Sequence, residues 1–159
     1  MSFLKILTLL AAIITSQAAL AEEVCGHTCQ SEKIEDYYIK ISKVMMAGSS
    51  VEDVRRFLTV LHNDVRYIHV KYEADFDKEA WHKAFMRRME GGNYNNHPED
   101  TTKVLRIIHG YNSAAVEFIS KYTNEDGVRI TNPKRLAFFT FKDGKISKIQ
   151  DYWYHLAEE

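Results

Sequence analysis

The chain has 159 residues, with 21 Lys and Arg against 22 Asp and Glu, a formal charge of −1 and 12% aromatic residues. Its charges are interspersed and it has no polybasic run, so it lacks the electrostatic footprint that recruits nucleic acid or an anionic membrane surface. Nine Tyr, eight Phe and two Trp supply enough rings to fill one core or wall a pocket for an apolar ligand.

Residues 1–21 combine one cation, Lys5, with an apolar stretch from Ile6 to Ile14 and the small-residue site Ala19-Leu20-Ala21. This is the pattern of a secretory signal peptide, and the stretch is shorter than the ~20 residues of a membrane span. The sequence therefore predicts an exported protein, periplasmic or secreted, with no membrane attachment after cleavage. Residues 22–30 hold both cysteines in Cys25-Gly26-His27-Thr28-Cys29. In an oxidising compartment two thiols this close form a local disulfide; free thiols or a metal site with His27 are the alternatives. Haem attachment is excluded, because it needs Cys-x-x-Cys-His and here Gln30 follows Cys29.

Residues 31–157 read as one α+β domain. Ile34, Tyr37, Tyr38, Ile41 and Met45 recur at helical spacing from Ser31 to Gly48. Ser49 with Glu52 forms a capping box for a second helix, whose apolar set is Val51, Val54, Phe57, Leu58 and Leu61. Residues 65–72 alternate as a strand entered through Asn63-Asp64, with Val65, Tyr67 and His69 on one face. A third helix, capped by Asp75 or Asp77, runs to Glu90, turns Trp81, Ala84, Phe85 and Met89 inward, and stops at Gly91-Gly92. Residues 93–101 are a polar loop, a connector or a lid. Two strands follow over 103–112 and 114–122, then a polar excursion over 123–133. A final hairpin joins strands 136–141 and 145–155 through Asp143-Gly144, the pair that a type I′ turn favours. This order predicts a curved, mainly antiparallel sheet wrapped around three helices.

The last strand carries the anomaly. Alternation places Ile149, Asp151, Trp153 and His155 on one side, so an acid sits on an apolar face. A carboxylate there is costly unless it pairs, lines a wet cavity or reacts; the structural alternative is an ion pair with Arg106 or Lys148. His69, with a reference pKa of ~6.5, is a proton carrier or a hydrogen-bonded core residue. His109 is in phase with Leu105, Ile107 and Tyr111 and faces either the same cavity or a second subunit. Tyr37, Tyr38 and Tyr67 can donate to a ligand oxygen, while Trp81, Phe85, Met89, Phe118, Phe139 and Trp153 can wall the pocket. No histidine pair has helical ligand spacing with an acid between, no G-x-S-x-G occurs and no phosphate-cradling glycine loop exists, so neither metal nor cofactor is expected.

The element order, with Asp64-Val65-Arg66-Tyr67-Ile68-His69 after the second helix and Asp143-Gly144-Lys145-Ile146 leading into Asp151-Tyr152-Trp153, resembles the nuclear-transport-factor-2-like superfamily, SnoaL-like domains above all. The resemblance implies a cone in which a bent sheet and three helices enclose an apolar cavity, and a homodimer formed through the outer sheet face. It implies a small, mostly apolar ligand, with or without acid-base chemistry of isomerase, cyclase or hydrolase type; a lipophilic-ligand binding module or a dimeric adaptor are the non-catalytic readings. In ketosteroid isomerases a catalytic carboxylate follows the second helix, a position that falls on or near His69. In limonene epoxide hydrolases the last strand carries an acid in an Asp-Tyr-Phe setting, which Asp151-Tyr152-Trp153 matches. The isomerase tyrosine of the first helix lies about one turn from Tyr38, and the late-strand acid has no counterpart in residues 136–141.

Overall fold

The computed structural model describes residues 24–152 except Asn95 and Glu125. The segment read from the sequence as a signal peptide, together with Trp153 and His155, lies outside the described residues. In chain order the elements are α1 (His27–Met45), α2 (Val51–Leu58), β1 (Leu61–His69), β2 (Ala74–Asp77), α3 (Lys78–Glu90), β3 (Thr101–Gly110), β4 (Ser113–Thr123), β5 (Arg129–Thr131), β6 (Arg135–Lys142) and β7 (Lys145–Asp151). The strands form one sheet in the order β2-β1-β7-β6-β4-β3, with β5 added beside β4. Every pairing is antiparallel except β1 with β7. The fold is α+β, a curved sheet wrapped around three helices. No described helix is long and apolar enough to cross a membrane.

Alternation along each strand separates a core face from an outer face. On β6, Ala137, Phe139 and Phe141 are buried, while Leu136 is half exposed. On β4, Ala114, Val116 and Phe118 point the same way. One inner row crosses the sheet as Ile107, Val116, Ala137, Asp151, His69 and Ala74, and the next holds Phe139, Ile149, Tyr67 and Phe76. Against these rows α1 packs Ile34, Tyr37 and Tyr38, α2 packs Val54 and Phe57, and α3 packs Trp81 and Phe85. Each fully buried Phe or Ile of this kind stabilises the fold by about 1.5–3 kcal/mol before entropy is counted. The β6–β7 turn has Asp143 at φ 50° and Gly144 at φ 66°, the left-handed pair that a type I′ turn needs.

Several boundaries differ from the sequence reading. The first helix begins at His27 rather than Ser31, because the Cys25–Cys29 disulfide and the buried amide of Gln30 organise its first turn. The capping box of α2 is Ser50 with Asp53, not Ser49 with Glu52. The Ser50 hydroxyl accepts from the Asp53 N–H, and the Asp53 carboxylate accepts from the Ser50 N–H at 2.8 Å. Leu61 belongs to β1 and not to α2, so Asn63 and Asp64 lie inside the strand, where the register with β7 shifts between Leu61 and Arg66. Asp75 is not a helix cap but part of β2, a short strand that pairs back on β1; Asp77 caps α3 by accepting from the Ala80 N–H at 2.7 Å. The polar excursion contains β5, three residues paired with β4.

Candidate functional site

A cavity of about 890 Å³ opens between the inner face of the sheet, α1 and α3, within the ~300–1,000 Å³ usual for small-molecule sites. Its inner end is made by β1 and β7. Their parallel pairing sets His69 opposite Asp151, and Tyr67 opposite Ile149. Tyr67 is therefore the diagonal neighbour of Asp151, and its hydroxyl donates to Asp151 Oδ2 at 2.8 Å. His69 is 3% exposed, its ring 4.4 Å from that of Tyr72. Asp151, at 8% exposed, is the only carboxylate among the described buried residues.

Aromatic packing holds these groups in place. The Trp81 ring stacks on Tyr67 with centroids 4.6 Å apart, and Phe57 meets Trp81 and Phe85 edge-on. Tyr37 lies edge-on to Tyr38 and Phe139, and Tyr38 leans over Phe118 at 5.0 Å. The Tyr38 hydroxyl is buried, lines the cavity and has no hydrogen-bond partner among the described residues.

The negative charge of Asp151 reaches three phenols. Burial pushes Tyr37 and Tyr38 well above the ordinary tyrosine range, and the Asp151 carboxylate pushes them further. Tyr67 is raised by burial first, then by the Asp151 charge and by its own hydrogen bond to it. All three are held as phenols, able to donate a hydrogen bond and reluctant to lose the proton. Arg135 is shifted downward by burial, an effect that the Asp151 charge opposes.

The predicted site residues separate into three groups. Tyr38, Tyr67, His69, Trp81, Phe85, Phe118 and Asp151 line one cavity. Phe139 and Met89 do not line it: Phe139 is fully buried in the core, and Met89 packs against that core from outside. His109 is also not a wall residue. It sits on an inner row, but at β3, where the start of α1 covers it. Its Nδ1 lies 2.9 Å from Gln30 Oε1, its Nε2 3.5 Å from Ser31 Oγ, and its ring stacks on His27. Asp151 does not pair with Arg106, which instead faces Glu117 on the outer side of the sheet. Cys25 and Cys29 are joined as a disulfide.

Sequence reasoning missed four cavity cations, Arg87, Arg88, Lys121 and Arg135. For two of them the phase was visible. Arg88 extends the α3 stripe of Trp81, Ala84 and Phe85 by one turn, and Arg135 precedes Ala137, Phe139 and Phe141 on the inner face of β6. The loop over residues 93–101 borders the mouth through Tyr94, Asn96 and Asp100. It is tied to the end of α1 by the Ala47 N–H donating to the Asn96 carbonyl, and to β4 by the Thr123 hydroxyl donating to Asp100.

No protein-family model matches the sequence, and no curated protein does. Solved structures do match. An NTF2-like protein of unknown function from Burkholderia pseudomallei superposes with a TM-score of 0.56 at 16% identity, covering 79% of this chain and 91% of the other. TerC, co-crystallised with polyporic acid, gives 0.57 at 17% identity, covering 79% and 92%. An LEH-like epoxide hydrolase from M. tuberculosis gives 0.56 at 16% identity, covering 79% and 82%. The chain has the nuclear-transport-factor-2-like fold, and at these identities the likeness speaks to the fold alone.

Proposed function

We propose that the cavity takes up a small, mostly apolar molecule that carries an oxygen acceptor, and that Asp151 and His69 move a proton on it. The observation that carries this reading is the buried Asp151 carboxylate, hydrogen-bonded by Tyr67 at the inner end of a ligand-sized aromatic cavity. A carboxylate kept from bulk water by aromatic walls is a stronger base toward carbon acids than the same group in solvent. The Tyr38 hydroxyl, buried and without a partner, is poised to donate to an oxygen of the ligand that gains negative charge.

In this scheme Asp151 accepts the proton from a carbon next to a carbonyl. Electron density moves onto the carbonyl oxygen, which accepts a hydrogen bond from Tyr38. His69 or the protonated Asp151 then returns a proton to carbon, which gives an isomerase outcome; attack of the enolate carbon on a second carbonyl carbon of the same ligand, with the proton delivered to that carbonyl's oxygen, gives a cyclase, and activation of a water by Asp151 would give a hydrolase. Fold neighbours described as an epoxide hydrolase and as a polyporic-acid complex favour small organic ligands for such a cavity. The signal-like start of the chain and the Cys25–Cys29 disulfide favour export as the setting. The mainly apolar row Ile108, Ala115, Phe138 and Ile68 on the outer face of the sheet favours a homodimer.

The reaction class is tested by deuterium uptake from D2O into 2-tetralone, a bicyclic ketone with acidic α-hydrogens, followed by NMR. Exchange above the buffer rate is expected, with Asp151→Asn slowing it by about 10²–10⁴-fold while the ketone still binds. Binding without enhanced exchange would leave the second reading, a lipophilic-ligand carrier, in its place.

A further inference from the structure

Beside the cavity lies a second hollow that the proposed chemistry does not use. It is a groove of about 440 Å³ bordered by α1, α2 and the loop that leads into β3. Five of its lining residues, Tyr38, Ser42, Asp100, Thr101 and Thr102, also line the cavity. The two spaces are therefore divided by a wall one side chain thick.

Helix phase explains how α1 serves both. Tyr37, Tyr38, Ile41 and Met45 turn toward the cavity, whereas Ile39, Ser42, Lys43 and Met46, spaced i, i+3, i+4 and i+7, form a neighbouring stripe along the groove. Ser42 stands where the two stripes meet. Opposite it β3 begins with Thr101 and Thr102, so the wall at this point is built of small side chains. None of these three hydroxyls makes a hydrogen bond to a described residue, and none ties α1 to β3. The charges around the groove are engaged with their own neighbours: Lys40 donates to Asp36 at 2.8 Å, Arg56 to Glu52 at 3.2 Å, and Asp53 accepts from the Ser50 N–H at 2.8 Å. Lys43 is exposed to solvent. What the groove offers a ligand is apolar: Met46, Pro98, the Tyr38 ring and Ile39, which is 68% exposed. A lone exposed isoleucine is ordinary on a protein surface, but one continued by Met46 along a groove that backs onto a ligand-sized cavity forms an apolar track. From Ile39 to Met46 the track runs about 10 Å at the helical rise of ~1.5 Å per residue.

We infer that cavity and groove hold one ligand between them, with a carbonyl-bearing head in the cavity and a linear alkyl chain that passes beside Ser42 and Thr102 and lies along Ile39 and Met46. This rests on the cavity being a ligand site, as proposed above, and adds the chemical class of what enters, a long-chain alkyl ketone. The passage opens by rotation of Ser42, Thr101 and Thr102, whose hydroxyls no described residue holds. Tyr38 borders both spaces, so its hydroxyl meets the oxygen of the head at the point where the chain begins.

The test is fluorescence titration of the full chain with two naphthyl ketones that differ only in their tails, prodan with a propanoyl chain and laurdan with a dodecanoyl chain. Both are expected to bind, laurdan the more tightly because more methylenes leave water. Ile39→Asp places a charge on the track outside the cavity; it should weaken laurdan about fivefold or more and change prodan by less than about twofold. A laurdan affinity that this substitution leaves unchanged, or an equal loss for both ketones, overturns the tail assignment and leaves the cavity reading standing. A second measurement needs no variant. A dodecanophenone with a terminal diazirine, photolysed on the wild-type chain and mapped by peptide mass spectrometry, should label α1 between Ile39 and Met46. Label confined to Trp81, Phe85 or Phe118, or placed anywhere else, shows the tail outside the groove and overturns the assignment. Binding of neither ketone overturns both readings.

Discussion

At the scale of single residues, the role proposed for Tyr38 sets function against stability. A buried hydroxyl without a partner costs about 1–3 kcal/mol relative to one that is satisfied, and the Tyr38 oxygen has no partner among the described residues. Tyr38→Phe is therefore expected to raise the melting temperature by a few degrees, on the order of 2–4 °C per kcal/mol for a chain of this size. The same change should weaken any ligand that presents an oxygen to that end of the cavity. Differential scanning calorimetry alongside ligand titration checks both halves; a fall in melting temperature would show that the hydroxyl already has a partner. Asp151 and Tyr67 illustrate what one sequence can disclose at this scale. An acid between Ile149 and the next inward position was visible by alternation alone, but its partner was not, because Tyr67 is 84 residues away and diagonal in the register.

At the scale of elements, strongly periodic segments were legible and short polar ones were not. The amphipathic stripe of α1, the Asp143-Gly144 turn and the alternation of β4, β6 and β7 all emerged from spacing, since each buries a continuous apolar face. The four residues of β2 and the three of β5 escaped, because Ala74-Asp75-Phe76-Asp77 and Arg129-Ile130-Thr131 have no pattern long enough to distinguish a strand from a turn. They exist through pairing with β1 and β4, a tertiary cause. The α2 cap moved by one residue because Ser49 and Ser50 are chemically equal and the Asp53 carboxylate reaches the later one. The outer face of the sheet gives the element-scale prediction. Ile108, Ala115, Phe138, Gln150 and Ile68 form one row across five strands, and Leu136 and Tyr152 lie beside it, half exposed. Such a patch is expected to pair with its copy, and light scattering after size-exclusion chromatography should report a dimer that Leu136→Glu converts to a monomer. A wild-type chain that elutes as a monomer at micromolar concentration rules the pairing out.

At the scale of the whole molecule, three raised phenols make folding sensitive to alkali. Tyr37, Tyr38 and Tyr67 all ionise at higher pH in the folded state than the ~10 of an unfolded chain. Below ~10 both states keep their protons and this stability is fully present. Above it the unfolded chain ionises first, so stability falls by up to about 1.4 kcal/mol per pH unit for each phenol until the folded values are passed. Urea midpoints measured between neutral and strongly alkaline pH should decline steeply above ~10, and Tyr37→Phe should flatten the decline; midpoints that stay level would contradict it. The pairing of β1 with β7 has a further effect, on the order of assembly. Among the described residues it is the sheet's one parallel seam, and it joins strands distant in sequence, so it closes late and slowly compared with the hairpins around it. Until that seam zips, Asp151 has neither Tyr67 nor His69 beside it. A folding intermediate with its helices and hairpins already built would still lack the Tyr67–Asp151 pair, and the exchange activity proposed for that pair would serve as a readout of the final docking event.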